Sequence, residues 1–107
     1  CDYLLAQGLS LLARNFHSRH GEIDLIMDDG RSLVFIEVRY RRSSAFGSGA
    51  ESVDRRKQAR ITACAQYYLQ KNPAASQRAC RFDVVAISGA RERRNIQWIR
   101  DAFPALG

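Results

Sequence analysis

The stretch Gly21–Arg42, GEIDLIMDDGRSLVFIEVRYRR, decides how the chain is read. Two apolar-rich segments flank Asp29-Gly30, a pair that favours a tight hairpin because glycine supplies the positive φ such turns need. Side chains alternate along a strand, so Glu22 and Asp24 are expected on one face and Ile23 and Leu25 on the other. On the second segment Glu37 and Arg39 share a face, and Val34, Ile36, Val38 and Tyr40 form the opposite one. A two-residue loop sets Glu22 opposite Glu37 and Asp24 opposite Phe35, whereas a four-residue loop sets Asp24 opposite Glu37. Any even loop length keeps Glu22, Asp24, Glu37 and Arg39 on one face.

Three carboxylates on one patch oppose folding. Two of them about 5 Å apart repel by roughly 3 kcal/mol at an effective dielectric of about 20, and like charges directly opposite destabilise a sheet. A hard divalent cation turns the same patch into a binding site, because Mg²⁺ takes oxygen ligands and is commonly held by one or two carboxylates, water and substrate phosphate. A hairpin face open to water accounts for the acids without any ligand. The runs IDLIM and LVFIEV nevertheless have the composition of interior strands, where an isolated carboxylate is unfavourable.

Asp24, followed on the next strand by Glu37-Val38-Arg39, resembles the acidic core of the PD-(D/E)XK nuclease superfamily, with Ile23 where that motif has proline. Together with ARNF, GEIDLI, VFIEVRYRRSS, AESV ahead of Lys57, CRFDVVAI and WIRDAF, nearly the whole chain resembles the YraN-like family of small bacterial proteins. That family is a branch of the superfamily related to Holliday-junction resolvases. The resemblance implies a restriction-endonuclease-like fold, hydrolysis of nucleic-acid phosphodiesters, and Mg²⁺ or Mn²⁺ held by Asp24 and Glu37, with Glu22 as a further ligand or outer-shell group. Arg39 stands where the motif has lysine; a guanidinium stabilises charge but does not accept a proton. Lys57 lies one helical turn before Ile61 and is expected to point at the hairpin and take part of that lysine's role, the alternative being a lysine extended to solvent. Relatives carry a helical glutamate about a turn upstream of the first residue, so the start of the N-terminal helix is expected to be missing here.

A chain of 107 residues with 46% apolar content makes one globular domain, 1–107. No apolar run approaches the length of a membrane span and no signal-peptide pattern occurs, so no membrane partner and a cytoplasmic location are expected. Cys1, Cys64 and Cys80 lack C-x-x-C spacing and read as reduced thiols. A net charge of +6 and a pI near 9.8 point to a polyanion, nucleic acid, with DNA ahead of RNA. All but Lys57 and Lys71 of the 17 basic residues are arginines, which suit bidentate contacts with phosphate. Arg41, Arg42, Arg55, Arg56 and Arg60 are the expected grip on a nucleic-acid backbone, and Arg91, Arg93 and Arg94 form a further basic cluster. No base-reading element is evident, so recognition of a structure such as a junction, flap or end is expected, by a monomer or a homodimer.

The remaining elements follow from punctuation and period. Residues 2–7 read as a helix stopped by Gly8, 9–16 as a strand, and HSRH as a polar link carrying His17 and His20. Residues 43–52 read as a mobile loop beside the charged face. Val53–Lys71 is the long helix, with Ile61, Cys64, Ala65, Tyr68 and Leu69 as its buried stripe and Asn72-Pro73 as its end. Residues 80–88 form a buried strand whose Asp83 is expected to pair with an arginine, and residues 96–100 an edge strand with Trp98 in the core or at an interface. The order α-β-β-β-α-β-β gives an α/β domain, a mixed sheet flanked by helices. Three functions remain open on these residues: a metal-dependent endonuclease, a catalytically inactive nucleic-acid-binding module, and a protein-interaction adaptor using the Trp98 edge.

Overall fold

In the computed structural model the chain runs through α1 (Asp2–Ala6), β1 (Ser10–Ser18), β2 (Gly21–Asp28), β3 (Ser32–Arg41), α2 (Arg55–Lys71), a 3₁₀ turn (Ala75–Gln77), β4 (Ala79–Ser88) and β5 (Asn95–Phe103). The structure describes residues 2–41, 54–89 and 95–104, with Arg41 by its backbone alone. Cys1, Arg42, the expected loop over 43–52, Val53, and the cluster of Arg91, Arg93 and Arg94 lie outside the described residues. The five strands form one sheet in the order β1-β2-β3-β4-β5. Every neighbouring pair is antiparallel except β3 and β4, which run parallel. A parallel pair needs a crossover, and α2 supplies it.

The expected helix is present but begins at Arg55, because Asp54 caps it: its carboxylate accepts from the Lys57 amide at 2.8 Å. At the other end the Asn72 side chain donates to the Tyr68 carbonyl at 2.9 Å. Ile61, Cys64 and Ala65 are buried, with Tyr68 and Leu69 packed beside them, as the period requires. They meet Ile23, Ile26, Leu33, Phe35, Phe82, Val84 and Phe103 on one face of the sheet. Phe35, Phe82 and Phe103 stack in sequence there, with centroids 5.5 and 5.1 Å apart. The other face is covered more thinly by α1, whose Leu4 joins Leu9, Leu25, Met27, Val34, Ile36 and Val85. Gly8, at φ +96°, ends α1 as expected, and the Leu9 amide returns to the Leu4 carbonyl at 3.2 Å.

The hairpins differ from the simplest reading in two places. Arg19-His20 makes the two-residue turn, Ser18 pairing with Gly21, so β1 continues through His17 and the HSRH link does not exist as a loop. The β2–β3 connection is the wider one: Asp28 pairs with Leu33, leaving four residues between. Acidic side chains build that turn, Asp28 accepting from the Gly30 amide at 2.8 Å and Asp29 from the Arg31 and Ser32 amides at 2.8 and 2.6 Å. Arg78 forks onto both oxygens of Asp28, and Arg81 reaches Asp29 at 2.6 Å. The clean alternation expected along β2 also fails. Ile23 packs on the α2 face while Leu25 packs on the α1 face, so the two do not share a side. β1 compensates with a register shift between Leu11 and Ala13, and Asn15 adopts a left-handed φ of +48°.

Asp83 is the buried ion pair expected of it, and more. Arg81 Nε lies 3.1 Å from its Oδ1, the Trp98 indole donates to Oδ2 at 2.8 Å, and the Asp101 amide donates to Oδ1 at 2.9 Å. The last contact sits at a register shift in the β4–β5 pairing, where Asp101 takes φ +51°. β5 therefore runs from Asn95 to Phe103, longer than residues 96–100.

Asp83→Ala removes the acceptor for an arginine, an indole and a bulge amide at once, and is expected to lower stability by about 3–5 kcal/mol in urea unfolding. Its hydrogen bonds to Arg78 and the Gly30 amide hold Asp28 at a pKa of about 2, below the ordinary 3.8. The ionised form is thus favoured in the folded chain. Its contribution is complete above pH ~4 and is lost as pH falls towards ~2. Asp28→Asn should lower the urea midpoint at pH 7 and flatten its decline across that window.

Candidate functional site

Regular pairing of β2 with β3 stops at Leu25 and Ile36. Continued by one step, the register sets Asp24 opposite Glu37. Beyond that point the strands no longer exchange ladder bonds, and the Val38 amide donates instead to Asp24 Oδ2 at 2.8 Å. A backbone donor inside a sheet needs an acceptor, and here a carboxylate stands in for the missing carbonyl. Asp24 is thereby fixed in orientation, and its Oδ1 accepts nothing among the described residues.

Glu37, on central strand β3, is buried with 7% of its surface exposed. Lys57 Nζ reaches its Oε1 at 2.6 Å from the first turn of α2, and Arg39 Nη1 lies 3.6 Å from the same oxygen. The expectation that Lys57 points at the hairpin therefore holds. Asp24, Glu37, Lys57, Arg60 and Glu22 line one cavity of about 370 Å³ between α2 and the sheet, floored by Ile61 and Gly21. Gly21 is favoured there by its φ of +148°, which other residues rarely adopt, although a Cβ would meet Arg60 Cβ at an ordinary contact distance of 3.6 Å.

The three carboxylates share this cavity without forming a three-ligand group among the described residues. Glu22 lies on the cavity rim, but its carboxylate is 3.5 Å from Nδ1 of His17, its partner across β1. Among the described residues no three His, Cys, Asp or Glu side chains are grouped to hold a metal ion. The even alternation that would have gathered them breaks at Asp24. What remains is a pair, Asp24 and Glu37, beside a lysine. That donor set fits a hard divalent ion in the form Mg²⁺ commonly takes, with one or two carboxylates completed by water and phosphate.

Arg55, Arg56 and Arg60 are exposed along the first turns of α2, and Arg60 lines this cavity. Arg41 continues β3 beyond Arg39. A residue set that sequence reasoning did not assign lines a second cavity, of about 470 Å³, on the α1 side of the sheet: Tyr3, Arg14, Asn15, Asp24, Val38 and Tyr40 among others. Asp24 is the residue common to both cavities. Tyr40 was legible only as one of an apolar face, and it is 73% exposed. Trp98 is tied internally, its indole bonded to Asp83 and its ring covered by Arg100 at 4.1 Å. No described helix is long and apolar enough to cross a membrane.

Residues 1–87 match the model of the uncharacterised protein family UPF0102. A UPF0102 protein of Nitrosococcus oceani is 56% identical over 103 residues, covering 96% of this chain and 83% of the relative. One from Saccharophagus degradans is 52% identical over 102 residues, covering 95% and 83%. One from Xanthomonas oryzae pv. oryzae is 53% identical over 98 residues, covering 92% and 79%.

Because Lys57 is a third exposed while Glu37 is buried, their pair is partly screened. A double-mutant cycle with Lys57→Met and Glu37→Gln, read by urea unfolding, should return a coupling of roughly 1–2 kcal/mol. A coupling indistinguishable from zero would mean that the 2.6 Å contact is not maintained in solution.

Proposed function

The chain belongs to the uncharacterised family UPF0102, and from that premise we propose that it is a metal-dependent endonuclease of the PD-(D/E)XK type, hydrolysing phosphodiester bonds in structured DNA. The observation that carries this reading is the convergence of Asp24, Glu37 and Lys57 on one cavity that Arg60 of α2 also lines. A fold alone does not require two acids and a lysine at a point where strand pairing ends. The restriction-endonuclease-like architecture belongs to the same proposal, supported by the order of elements and by a mixed sheet whose acidic hairpin precedes the crossover helix.

Asp24 and Glu37 are the residues that would hold Mg²⁺ or Mn²⁺, with Glu22 acting through water. Bound there, the ion supplies positive charge at the scissile phosphate and an acidified water. Asp24 is oriented for this by the Val38 amide. Lys57 and Arg39 counter the charge that develops on the phosphate oxygens. Arg39 keeps its proton throughout, so Lys57 is the basic group able to orient a water as well as to neutralise charge. Arg55, Arg56 and Arg60, with Arg41 and Arg42, grip the backbone without reading sequence.

A second reading, a nucleic-acid-binding module without catalysis, is favoured by one feature. Glu37 Oε1 is already neutralised by Lys57 and approached by Arg39, which leaves less negative charge to attract a cation. The two readings separate when the protein is titrated with Mn²⁺ against branched and linear DNA and both retardation and cleavage are scored. The nuclease cuts. Asp24→Asn or Glu37→Gln should lower the cutting rate at least about a hundredfold, the loss of several kcal/mol of transition-state stabilisation, while binding persists and chelation abolishes cutting. Retardation without cleavage, unchanged in Asp24→Asn, selects the binding module. Absence of retardation even at low salt removes both and leaves an adaptor.

A further inference from the structure

We propose that a third cavity, between the β1–β2 turn and the second half of α2, holds a backbone phosphate of the nucleic acid a few nucleotides from the one at Asp24 and Glu37. The inference rests on the nuclease reading and gives the bound strand a direction along α2. The cavity, of about 570 Å³, is lined by Arg19 and His20 of the turn and by Ala63, Gln66, Tyr67 and Gln70 of the helix. These side chains bring a guanidinium, an imidazole, two carboxamides and a phenol, and no carboxylate. A permanent cation among groups able to donate is the chemistry that recognises a phosphate oxygen. Arg19 is exposed and enters no ion pair among the described residues. Arg78 and Arg81, at the other end of β2, are each bound to acids. The Lys71 ammonium, 5.0 Å from the centroid of the Tyr67 ring, adds a second positive charge beside the lining.

This cavity adjoins the one that holds Glu37 and Lys57. Gly21, which follows His20, lines that neighbouring cavity, and so does Arg60, one helical turn before Ala63. A Cβ on Gly21 would lie 3.6 Å from Arg60 Cβ, so turn and helix meet where the two cavities border each other. Cys64 Sγ donates to the carbonyls of Gly21 and Phe16 at 3.6 and 3.9 Å, which holds the end of the hairpin on α2. At about 1.5 Å per residue, the helix advances about 11 Å between the residues it gives to the first cavity and those it gives to the second. One strand of a duplex carries a phosphate about every 3.4 Å of axis, so that separation corresponds to roughly three nucleotides. A strand with one phosphate at Asp24 and Glu37 therefore has a cavity rich in donors for another, with Arg60 between them.

The test uses the full-length chain and a four-way DNA junction, with chelator present so that cutting does not interfere. Affinity is measured across a salt series. Arg19→Ala is expected to weaken binding about tenfold at low salt and to lower the log–log salt slope by about one, the effect of one lost phosphate contact. Arg19→Lys should keep most of the slope. Gln70→Glu, which brings a carboxylate to the same cavity from an exposed helix position, should weaken binding similarly with an unchanged urea midpoint. Arg31→Ala, an equal loss of charge at the distant β2–β3 turn, should leave the slope as it is. An unchanged slope in Arg19→Ala overturns the proposal, as does an equal fall in Arg19→Ala and Arg31→Ala, which assigns the effect to net charge. Normal binding by Gln70→Glu overturns it too. In each of these cases Mn²⁺-dependent cutting by the unaltered chain still supports the nuclease reading. Failure of the unaltered chain to bind the junction at low salt overturns both together.

Discussion

The Val38 amide requires an acceptor, and the structure around the candidate site depends on how that need is met. In an unbroken antiparallel ladder a carbonyl of β2 would accept it. Instead pairing ends at Leu25 and Ile36, and the Asp24 carboxylate accepts at 2.8 Å. That one substitution frees the end of β2 to separate from β3, gives Asp24 a fixed orientation, and opens the sheet beside Glu37. It also explains why the alternation along β2 resets there, with Ile23 committed to the α2 core and Leu25 to the α1 core. Both residues are buried, so the break satisfies two hydrophobic surfaces where a regular strand would have served one.

Charge at the opposite end of the sheet has the contrary purpose. Arg78 with Asp28, Arg81 with Asp29 and Asp83, and Trp98 with Asp83 form a network in which each acid has named partners. Such groups stabilise a turn and an edge strand, and they leave no carboxylate oxygen seeking a ligand. Asp24 differs: one oxygen is bound by an amide and the other takes no hydrogen bond among the described residues.

Much of this was legible in the sequence because it depends on period. The buried stripe of α2, the apolar strands, the stop at Gly8 and the pairing of Asp83 follow from spacing and from the high energy of an unpaired buried charge. Lys57 was placed correctly because it shares a helical face with Ile61. The Asp54 cap was legible too, as an aspartate at the mouth of a helix, but starting the helix at Val53 hid it. The break at Asp24 was not legible. A period of two has no symbol for a bulge, and Asn15, whose left-handed backbone lies beside the break, reads in sequence as an ordinary strand residue. Glu22 lines the same cavity as the other two acids but lies beside His17, and among the described residues the three are not grouped to hold a metal ion. Asp29-Gly30 misled by degree only: the pair favours a tight turn, but Asp28 and Asp29 bind three backbone amides and so support a wider one.

The lysine of α2 clarifies what kind of site this is. If Arg39 alone faced Glu37, the pair would be a planar, permanently charged clamp suited to holding a carboxylate still. The 2.6 Å contact comes instead from Lys57, at the end of a flexible stem, while the arginine stands off at 3.6 Å. An ammonium has three donors and can exchange a carboxylate for a phosphate oxygen without moving the backbone. In the proposed nuclease, Glu37 would be released to a cation as a phosphate arrives, with Lys57 following the negative charge from one to the other. The ion pair in the structure would then be the resting arrangement of that proposed site. The same short contact that makes Glu37 look satisfied then holds the acid in a buried place where, without Lys57, it would oppose folding.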